Sequence, residues 1–111
     1  MHLNGKLTLG ENAADNGGIR LAYMALMDSL ANQTAGQQDG FTPQQQFFMG
    51  YGQIWCENTT EQSVRMQAAT NPHSPGEFRA NGVVQNMLEF QEAFSCKVGD
   101  PMISANPCRV W

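Results

Sequence analysis

The 111 residues are enough for one domain with a single core. Six basic residues are scattered among ten acidic ones, for a net charge of −4, which argues against nucleic acid or an anionic membrane surface as a partner. The longest apolar runs fall far short of the ~20 residues that span a bilayer, and residues 1–3 do not begin a secretory signal.

The first predicted helix runs from about Thr8 to about Asn32. Thr8 and Glu11 match a Thr-x-x-Glu capping box at its start. Gly17 and Gly18 each cost about 1 kcal/mol inside a helix relative to Ala, so we expect another backbone to pack closely against this pair. Apolar residues recur at spacings that suit one helix face, namely Ala14, Leu21, Met24, Ala25 and Ala31.

Two further helices are predicted in the middle of the chain. Thr42 is a suitable N-cap, with Pro43 at the first helical position and Gln45 completing a second capping box. Residues 60–69 predict a third, weaker helix. The second helix carries a wide apolar stripe up to Cys56, formed by Phe47, Phe48, Tyr51, Ile54 and Trp55.

The last third of the chain alternates irregular and helical segments. Two prolines and a glycine in residues 71–76 prevent regular structure. A last helix is predicted from about Asn86 to Phe94, followed by an extended tail that ends in Trp111, which we expect to be held in a pocket. The chain is therefore predicted to be mainly α, with little or no sheet. The buried face of the last helix should contain Met87, Phe90 and Phe94.

Two pairs of polar residues could carry chemistry. Glu11 and Asp15 lie one helical turn apart, where like charges repel unless a helix N-terminus or a cation compensates. From spacing alone, a capping Glu and a solvated Asp remain the simpler interpretation. His73 and Arg79 flank a rigid loop that fixes their relative direction, as a binding site requires, although such residues are often only a polar surface.

Four segments stand out as motifs: NGKLTLGENAADNGG (4–18), GQIWC (52–56), HSPGEFR (73–79) and CRVW (108–111). These segments resemble the neprilysin-like zinc metallopeptidases, the family of neprilysin and endothelin-converting enzyme. They occur in the family's order and cover nearly the whole chain, which makes coincidence a poor explanation. The resemblance implies the C-terminal, mainly helical part of a gluzincin (thermolysin-like) catalytic domain, with residues 1–111 as a single unit.

The resemblance implies a role for each polar candidate. Glu11 matches the third protein ligand of a catalytic Zn²⁺, and Asp15 would orient a ligating histidine by accepting its distal N–H. His73 matches the histidine that hydrogen-bonds the oxyanion of the tetrahedral intermediate. Arg79 matches the arginine that binds a backbone carbonyl of the substrate beyond the scissile bond.

The resemblance also concerns a specificity pocket and the cysteines. Ile54 and Trp55 would line the pocket for the large apolar side chain just after the cut. Three cysteines cannot all pair within one chain, so that a thiol stays free or partners lie elsewhere. The family pattern implies disulfide partners upstream of this segment for Cys56, Cys96 and Cys108.

The chain departs from the family pattern where activity is concerned. It contains no His-Glu-x-x-His, the family motif that supplies two zinc ligands and the general base, and it lacks the strand that aligns substrate. Ala13 replaces the usual Ile between the two carboxylates, a loss of apolar volume only. Since a catalytic zinc site needs three protein ligands and an open position, we expect a parent enzyme that cleaves peptides by zinc-activated water and an inactive isolated chain.

The expected partners are peptide substrates and the upstream half of a peptidase domain. Without that half, uncovered apolar helix faces would favour self-association, and the cysteines could form intermolecular disulfides. The alternative is a non-enzymatic helical module that binds a peptide or protein on the same scaffold. The family and the cysteine pattern predict an extracytoplasmic location (secreted, periplasmic or ectodomain), whereas a truncated product could be cytoplasmic.

Overall fold

A computed structural model describes residues 1–110, so the expectation for Trp111 lies outside the described residues. These residues form no strand, and an isolated antiparallel bridge joins Gln38 to Phe41. None of the described helices is long and apolar enough to cross a bilayer. The predicted mainly α fold is confirmed. The helices are α1 (Gly5–Leu30), α2 (Pro43–Ile54), α3 (Glu61–Thr70), α4 (Gly76–Val84) and α5 (Leu88–Ala93).

Helix α1 begins three residues before the predicted start. Its N-cap is Asn4, whose side-chain oxygen accepts hydrogen bonds from the backbone N–H groups of Lys6 and Leu7 at 3.2 and 3.3 Å. Thr8 therefore lies inside the helix, is 1% exposed, and donates its hydroxyl to the Asn4 carbonyl oxygen. The predicted capping box of Thr8 and Glu11 is wrong, because Asn4 already caps the helix.

The predicted apolar face of α1 points away from the rest of the described chain. Leu21 and Met24 are 49% and 44% exposed, and the alanines of this face are exposed as well. The side that packs, chiefly on α4, contains Gly17 and Ile19 instead. Gly18 is exposed, and an added Cβ would meet no atom within 4 Å, so close backbone packing is not found at Gly18.

Helices α2 and α3 begin where the sequence predicts. The Thr42 hydroxyl accepts a hydrogen bond from the Gln45 N–H, and the Gln45 side chain accepts one from the Thr42 N–H, which confirms the capping box. The Thr60 hydroxyl caps α3 in the same way, by accepting a hydrogen bond from the Ser63 N–H.

The core lies where α1, α2, α4 and α5 meet. Its centre is the Phe48 ring, which stacks on Tyr23 at 5.4 Å and meets Phe90 edge to face at 5.3 Å. Phe90 and Phe94 are half-buried against this core, as predicted. The buried apolar cluster consists of Ile19, Phe48, Val83, Val84 and Met87.

Helix α4 was not predicted from the sequence. It begins at Gly76, directly after a Pro-rich loop (residues 71–75), with Pro75 as its N-cap. The Pro75 side chain has no polar group and cannot cap the helix. The Glu57 carboxylate caps it instead, by accepting a hydrogen bond from the Gly76 N–H at 3.1 Å. A cap supplied from 19 residues away leaves no local sequence signal, so the segment looks like a continuation of the loop.

The described part of the tail, residues 95–110, forms no helix or strand, as predicted. It is tied to the helices by polar contacts. The Cys108 N–H donates to the Asn86 side-chain oxygen at 3.0 Å, and the Arg109 guanidinium lies 2.9 Å from the Glu89 carboxylate. Glu89 also lies 3.7 Å from Arg20 of α1, so that one carboxylate joins α1, α5 and the tail.

Candidate functional site

The site forms where the N-terminal half of α1 meets the Pro-rich loop and α4. Glu11 and Asp15 lie one turn apart on α1, as predicted; Glu11 faces the imidazole ring of His73 and Asp15 faces the guanidinium of Arg79. The positive charge of Arg79 offsets the repulsion expected between the two neighbouring carboxylates. The structure brings the pair Glu11 and Asp15 together with the pair His73 and Arg79. The partners within the site, Glu11 with His73 and Asp15 with Arg79, were not predicted from the sequence.

The outer pair is open to solvent. The Nε2 atom of His73 lies 3.2 Å from the Oε2 atom of Glu11, with 44% of the His73 side chain and 42% of the Glu11 side chain exposed. The His73 ring is charged only when it is protonated. At this exposure, a metal ion or a substrate can reach both side chains from solvent.

The inner pair is mostly buried and rigid. Arg79 donates two parallel hydrogen bonds of 2.7 Å to the two carboxylate oxygens of Asp15. The side chains of Arg79 and Asp15 are only 17% and 13% exposed. The hydrogen bond to Asp15 is the largest cause that raises the pKa of Arg79, while burial lowers it. The guanidinium therefore stays charged, and its two bonds fix its plane.

Two aromatic residues at the C-terminal end of α2 support the inner pair: Tyr51 in its last turn and Trp55, its C-cap. The guanidinium carbon of Arg79 lies 4.0 Å from the ring centroid of Trp55, a cation–π contact. The Tyr51 hydroxyl donates to the backbone carbonyl of Arg79 at 2.9 Å, and the Tyr51 ring meets Trp55 edge to face. Burial raises the pKa of Tyr51.

Tyr51 is a residue of this site that sequence reasoning missed. It was assigned only to the apolar stripe of α2, and its hydroxyl group is the one feature that could have suggested another role. Buried tyrosines usually find a partner for their O–H group, but the sequence does not say that this partner is the carbonyl of Arg79.

The two predicted pocket residues lie in different surroundings. Trp55 is half-buried against Arg79 and lines a cavity of about 370 Å³, together with Pro75 and Phe78. Ile54 is 68% exposed and is not among the residues that line this cavity.

The three cysteines are free thiols in this structure. Cys56 and Cys108 are exposed, and Cys96 is half-buried. None of the three residues is buried in the core.

Glu11 fits part of a zinc site. Carboxylate oxygens are common zinc ligands, and this carboxylate is solvent-exposed on a rigid helix. Within residues 1–110, no group of three His, Cys, Asp or Glu side chains is placed to hold a metal ion. Glu11 fits as one ligand of a metal ion whose other protein ligands lie outside residues 1–110.

Comparison with known proteins identifies the family. Residues 1–110 match the family model described as Peptidase family M13. The chain belongs to this family. It is 42% identical over 113 residues to Neprilysin-3 of Drosophila melanogaster, a match covering 98% of this chain and 14% of that protein. It is 43% identical over 112 residues to endothelin-converting enzyme 1 of Rattus norvegicus, covering 98% of this chain and 15% of that protein.

Solved structures show the same fold. The crystal structure of the Mycobacterium tuberculosis zinc metalloprotease Zmp1 with an inhibitor superposes with a TM-score of 0.91 and 38% identity, covering 99% of this chain and 17% of that one. The open state of Zmp1, solved by electron cryomicroscopy, gives a TM-score of 0.89. This M13 chain spans about a seventh of the length of Neprilysin-3 and of endothelin-converting enzyme 1.

Proposed function

We propose that this M13 chain supplies one zinc ligand, an oxyanion-binding histidine and a substrate-binding arginine to a zinc metalloendopeptidase. The observation that carries the proposal is the pairing of Glu11 with His73 and of Asp15 with Arg79 on one surface. These four residues come from three separate segments, and the fold places them side by side.

Glu11 is proposed as the zinc ligand. Its carboxylate is reachable from solvent, and the rigid helix α1 fixes its direction. Zinc, when bound, acts as a Lewis acid that lowers the pKa of a water molecule. Asp15, one turn further along α1, is proposed to orient a histidine ligand of the same zinc with its carboxylate, which in this chain also accepts both bonds from Arg79.

His73 is proposed to hydrogen-bond the oxyanion that forms when the peptide carbonyl is attacked. Its Nε2 atom points to the same surface as the Glu11 carboxylate, 3.2 Å away. A donor at this place stabilises negative charge that develops at the reacting carbonyl, and loss of such a donor typically lowers kcat by about 10²–10³-fold.

Arg79 is proposed to bind a backbone carbonyl of the peptide on the side beyond the scissile bond. Two of its donors are occupied by Asp15, and its plane is held against Trp55. The remaining N–H groups are therefore preoriented, which lowers the entropy cost of binding. Trp55, with Ile54, is proposed to line the pocket for the apolar side chain that follows the cut.

The chain is proposed to work as one unit of a larger peptidase domain, outside the cytoplasm. Its zinc site needs ligands from an upstream half, and the exposed face of α1 at Leu21 and Met24 is a surface for that half to cover. Cys56, Cys96 and Cys108 are proposed to form disulfides with upstream cysteines, which their surface positions permit.

The proposed dependence on an upstream half can be tested with the purified chain. With zinc and a broad library of quenched peptides, we expect no turnover, because the chain contains no His-Glu-x-x-His. Zinc-dependent cleavage that disappears in Glu11→Gln would contradict this expectation.

The proposed roles can be tested by grafting this chain in place of the matching segment of rat endothelin-converting enzyme 1. We expect the chimera to cleave peptides, His73→Gln to lower kcat by about 10²–10³-fold, and Arg79→Lys to act mainly on KM. Glu61→Gln, at an exposed position on α3, serves as the control with unchanged kinetics. A His73→Gln chimera with normal kcat would refute the proposed role of His73.

A further inference from the structure

We propose that Asn4 is a site of spontaneous deamidation, because the fold leaves it free to react while it protects two other asparagines in the same sequence context. Three Asn residues of the chain are followed by Gly. Glycine favours the reaction most, since no side chain hinders the approach of its backbone nitrogen. The pairs are equivalent by sequence, and the structure separates them. They are Asn4-Gly5, Asn16-Gly17 and Asn81-Gly82.

The reaction consumes water and no other reagent. The backbone nitrogen of Gly5 attacks Cγ of Asn4, a new C–N bond forms, and the Cγ–Nδ2 bond breaks. Nδ2 leaves as ammonia with the proton that the Gly5 nitrogen gives up, and a five-membered succinimide ring remains. Water then opens the ring at Cγ to give Asp, or at the backbone carbonyl carbon to give isoaspartate.

The Asn4-Gly5 peptide unit can reach the geometry of attack at low cost. Asn4 is exposed and is the N-cap of α1, with φ −80° and ψ 94°, outside the helical range. Gly5 is the first residue of α1, so its N–H has no acceptor inside the helix. The two hydrogen bonds that hold the Asn4 side chain are exposed and long, at 3.2 and 3.3 Å. Water can replace them, and helix ends open most easily in a folded chain.

The Asn16-Gly17 pair is held in the middle of α1. The Asn16 side chain donates to the Asn12 carbonyl oxygen at 2.8 Å and accepts from the Asn86 side chain at 3.0 Å. Gly17 is buried, and its N–H is bound to a carbonyl group one turn earlier in the helix. Attack at Asn16 therefore requires the middle of α1 to unfold.

The Asn81-Gly82 pair is the closer comparison, because Asn81 is exposed, as Asn4 is. Both residues of the pair lie inside α4. The next two residues, Val83 and Val84, are 3% and 6% exposed and belong to the core. Opening α4 at Gly82 would pull these valines out of the core. The difference between Asn4 and Asn81 thus comes from the helix and its packing, not from exposure.

The two products should change the start of α1 in different ways. Asp keeps a side-chain oxygen at the N-cap position and adds a negative charge, which a helix N-terminus favours. Isoaspartate inserts a side-chain carbon into the main chain before Gly5, which moves the cap away from the N–H groups that it now accepts. Helix α1 carries Glu11, but the reaction itself is independent of the proposed peptidase role.

The proposal can be tested by incubating the 111-residue chain in mildly alkaline buffer, where base removes the Gly5 proton, and mapping its tryptic peptides by mass spectrometry. Cleavage after Lys and Arg places the three pairs in separate peptides, 1–6, 7–20 and 80–97. We expect Asn4 to convert at least about 10-fold faster than Asn16 or Asn81, because internal helical turns open far more rarely than terminal ones. Equal or faster conversion of Asn16 or Asn81 in the folded chain would overturn the proposal.

An unfolded sample and two variants complete the test. In urea that unfolds the chain, the three pairs should convert at similar rates, and a persistent difference would show that sequence rather than structure separates them. Gly5→Ala hinders the attack, and its Cβ meets no atom within 4 Å, so conversion of Asn4 should slow severalfold in a folded chain. Gly50→Ala, with the same free space in α2, is the matched control and should leave the Asn4 rate unchanged. An unchanged rate in folded Gly5→Ala would contradict the proposed attack.

Discussion

Among single residues, the Asp15–Arg79 pair differs from every other ion pair of the described chain in being both bidentate and mostly buried. Arg79 takes part in four contacts at once: with Asp15, with the Trp55 ring, and through its backbone with Tyr51 and the first turn of α4. Such a residue stabilises the fold and also fixes the geometry of the site. Its two roles have to be separated by experiment.

We predict that Asp15→Asn lowers the free energy of unfolding by about 1–3 kcal/mol, because a charged guanidinium loses a charged acceptor in a mostly buried place. Urea unfolding at neutral pH measures the change. The matched control is Glu61→Gln, which breaks an Arg65 pair that is largely exposed, and it should leave stability nearly unchanged. Equal effects of the two substitutions would contradict this account.

The alkaline stability of the chain should depend on Tyr51. Burial raises its pKa in the folded state above the ordinary value near 10. The folded state therefore holds this proton more tightly than the unfolded state. The corresponding stability is present in full below about pH 10 and is lost as the pH rises through the folded pKa.

We therefore predict that the free energy of unfolding falls as the pH rises above about 10, and that Tyr51→Phe reduces this fall. The variant also loses the bond to the Arg79 carbonyl, so its stability at neutral pH should be lower. Part of the fall should remain, because burial also raises the pKa of Tyr23. An unchanged slope in Tyr51→Phe would show that its hydroxyl group is not buried as described.

At the scale of helices, the N-terminus of α4 depends on a close approach at Gly76. A Cβ added there would lie 2.8 Å from the Trp55 carbonyl oxygen and 2.9 Å from the Glu57 carboxylate. The same carboxylate accepts the Gly76 N–H. Glycine at this position therefore allows α2 and α4 to meet, and it brings Trp55 next to Arg79.

We predict that Gly76→Ala destabilises the chain by about 1–3 kcal/mol, since the backbone carbonyl of Trp55 cannot move aside without shifting the helix. Gly82→Ala lies in the same helix, where an added Cβ meets nothing within 4 Å, and it should stabilise by about 0.5–1 kcal/mol. Thermal unfolding of the two variants gives opposite shifts if this is correct. Shifts of the same sign would contradict the close approach at Gly76.

The helices show what sequence can predict and where it stops. Local signals located α2 and α3, because Thr42, Gln45 and Thr60 form their own caps within four residues. Helix α4 was missed because its cap comes from the distant Glu57. The periodicity of α1 located the helix but not its packed face, since apolar residues also recur on a side that nothing in residues 1–110 covers.

The site could be predicted as a set of residues but not as an arrangement. The resemblance to known peptidases identified Glu11, Asp15, His73 and Arg79. Which side chain faces each carboxylate, and the hydrogen bond that Tyr51 donates to Arg79, depend on contacts between residues far apart in the chain. No spacing in the sequence contains that information.

For the whole molecule, the uncovered side of α1 predicts behaviour in solution. Leu21 and Met24 lie one turn apart and are nearly half exposed. If the proposed upstream half normally covers them, the isolated chain should self-associate. Sedimentation velocity should then detect dimers or larger species, and a double substitution of Leu21 and Met24 by Glu should reduce them.

The control for this prediction is Val98→Glu, because Val98 is fully exposed and belongs to the tail rather than to α1. This substitution should leave the association unchanged. A parent chain that sediments as a monomer at all concentrations would argue against an uncovered interface on α1. It would equally weaken the alternative of a helical binding module, which requires the same apolar surface.

The central claim, that Glu11 completes a zinc site, is tested most directly by the metal content of the purified endothelin-converting enzyme chimera. Atomic emission spectroscopy after dialysis should find about one zinc per chain in the chimera and in the Glu61→Gln control, and far less in Glu11→Gln, since one of three protein ligands is lost. One zinc per chain retained at unchanged affinity in Glu11→Gln would contradict the claim.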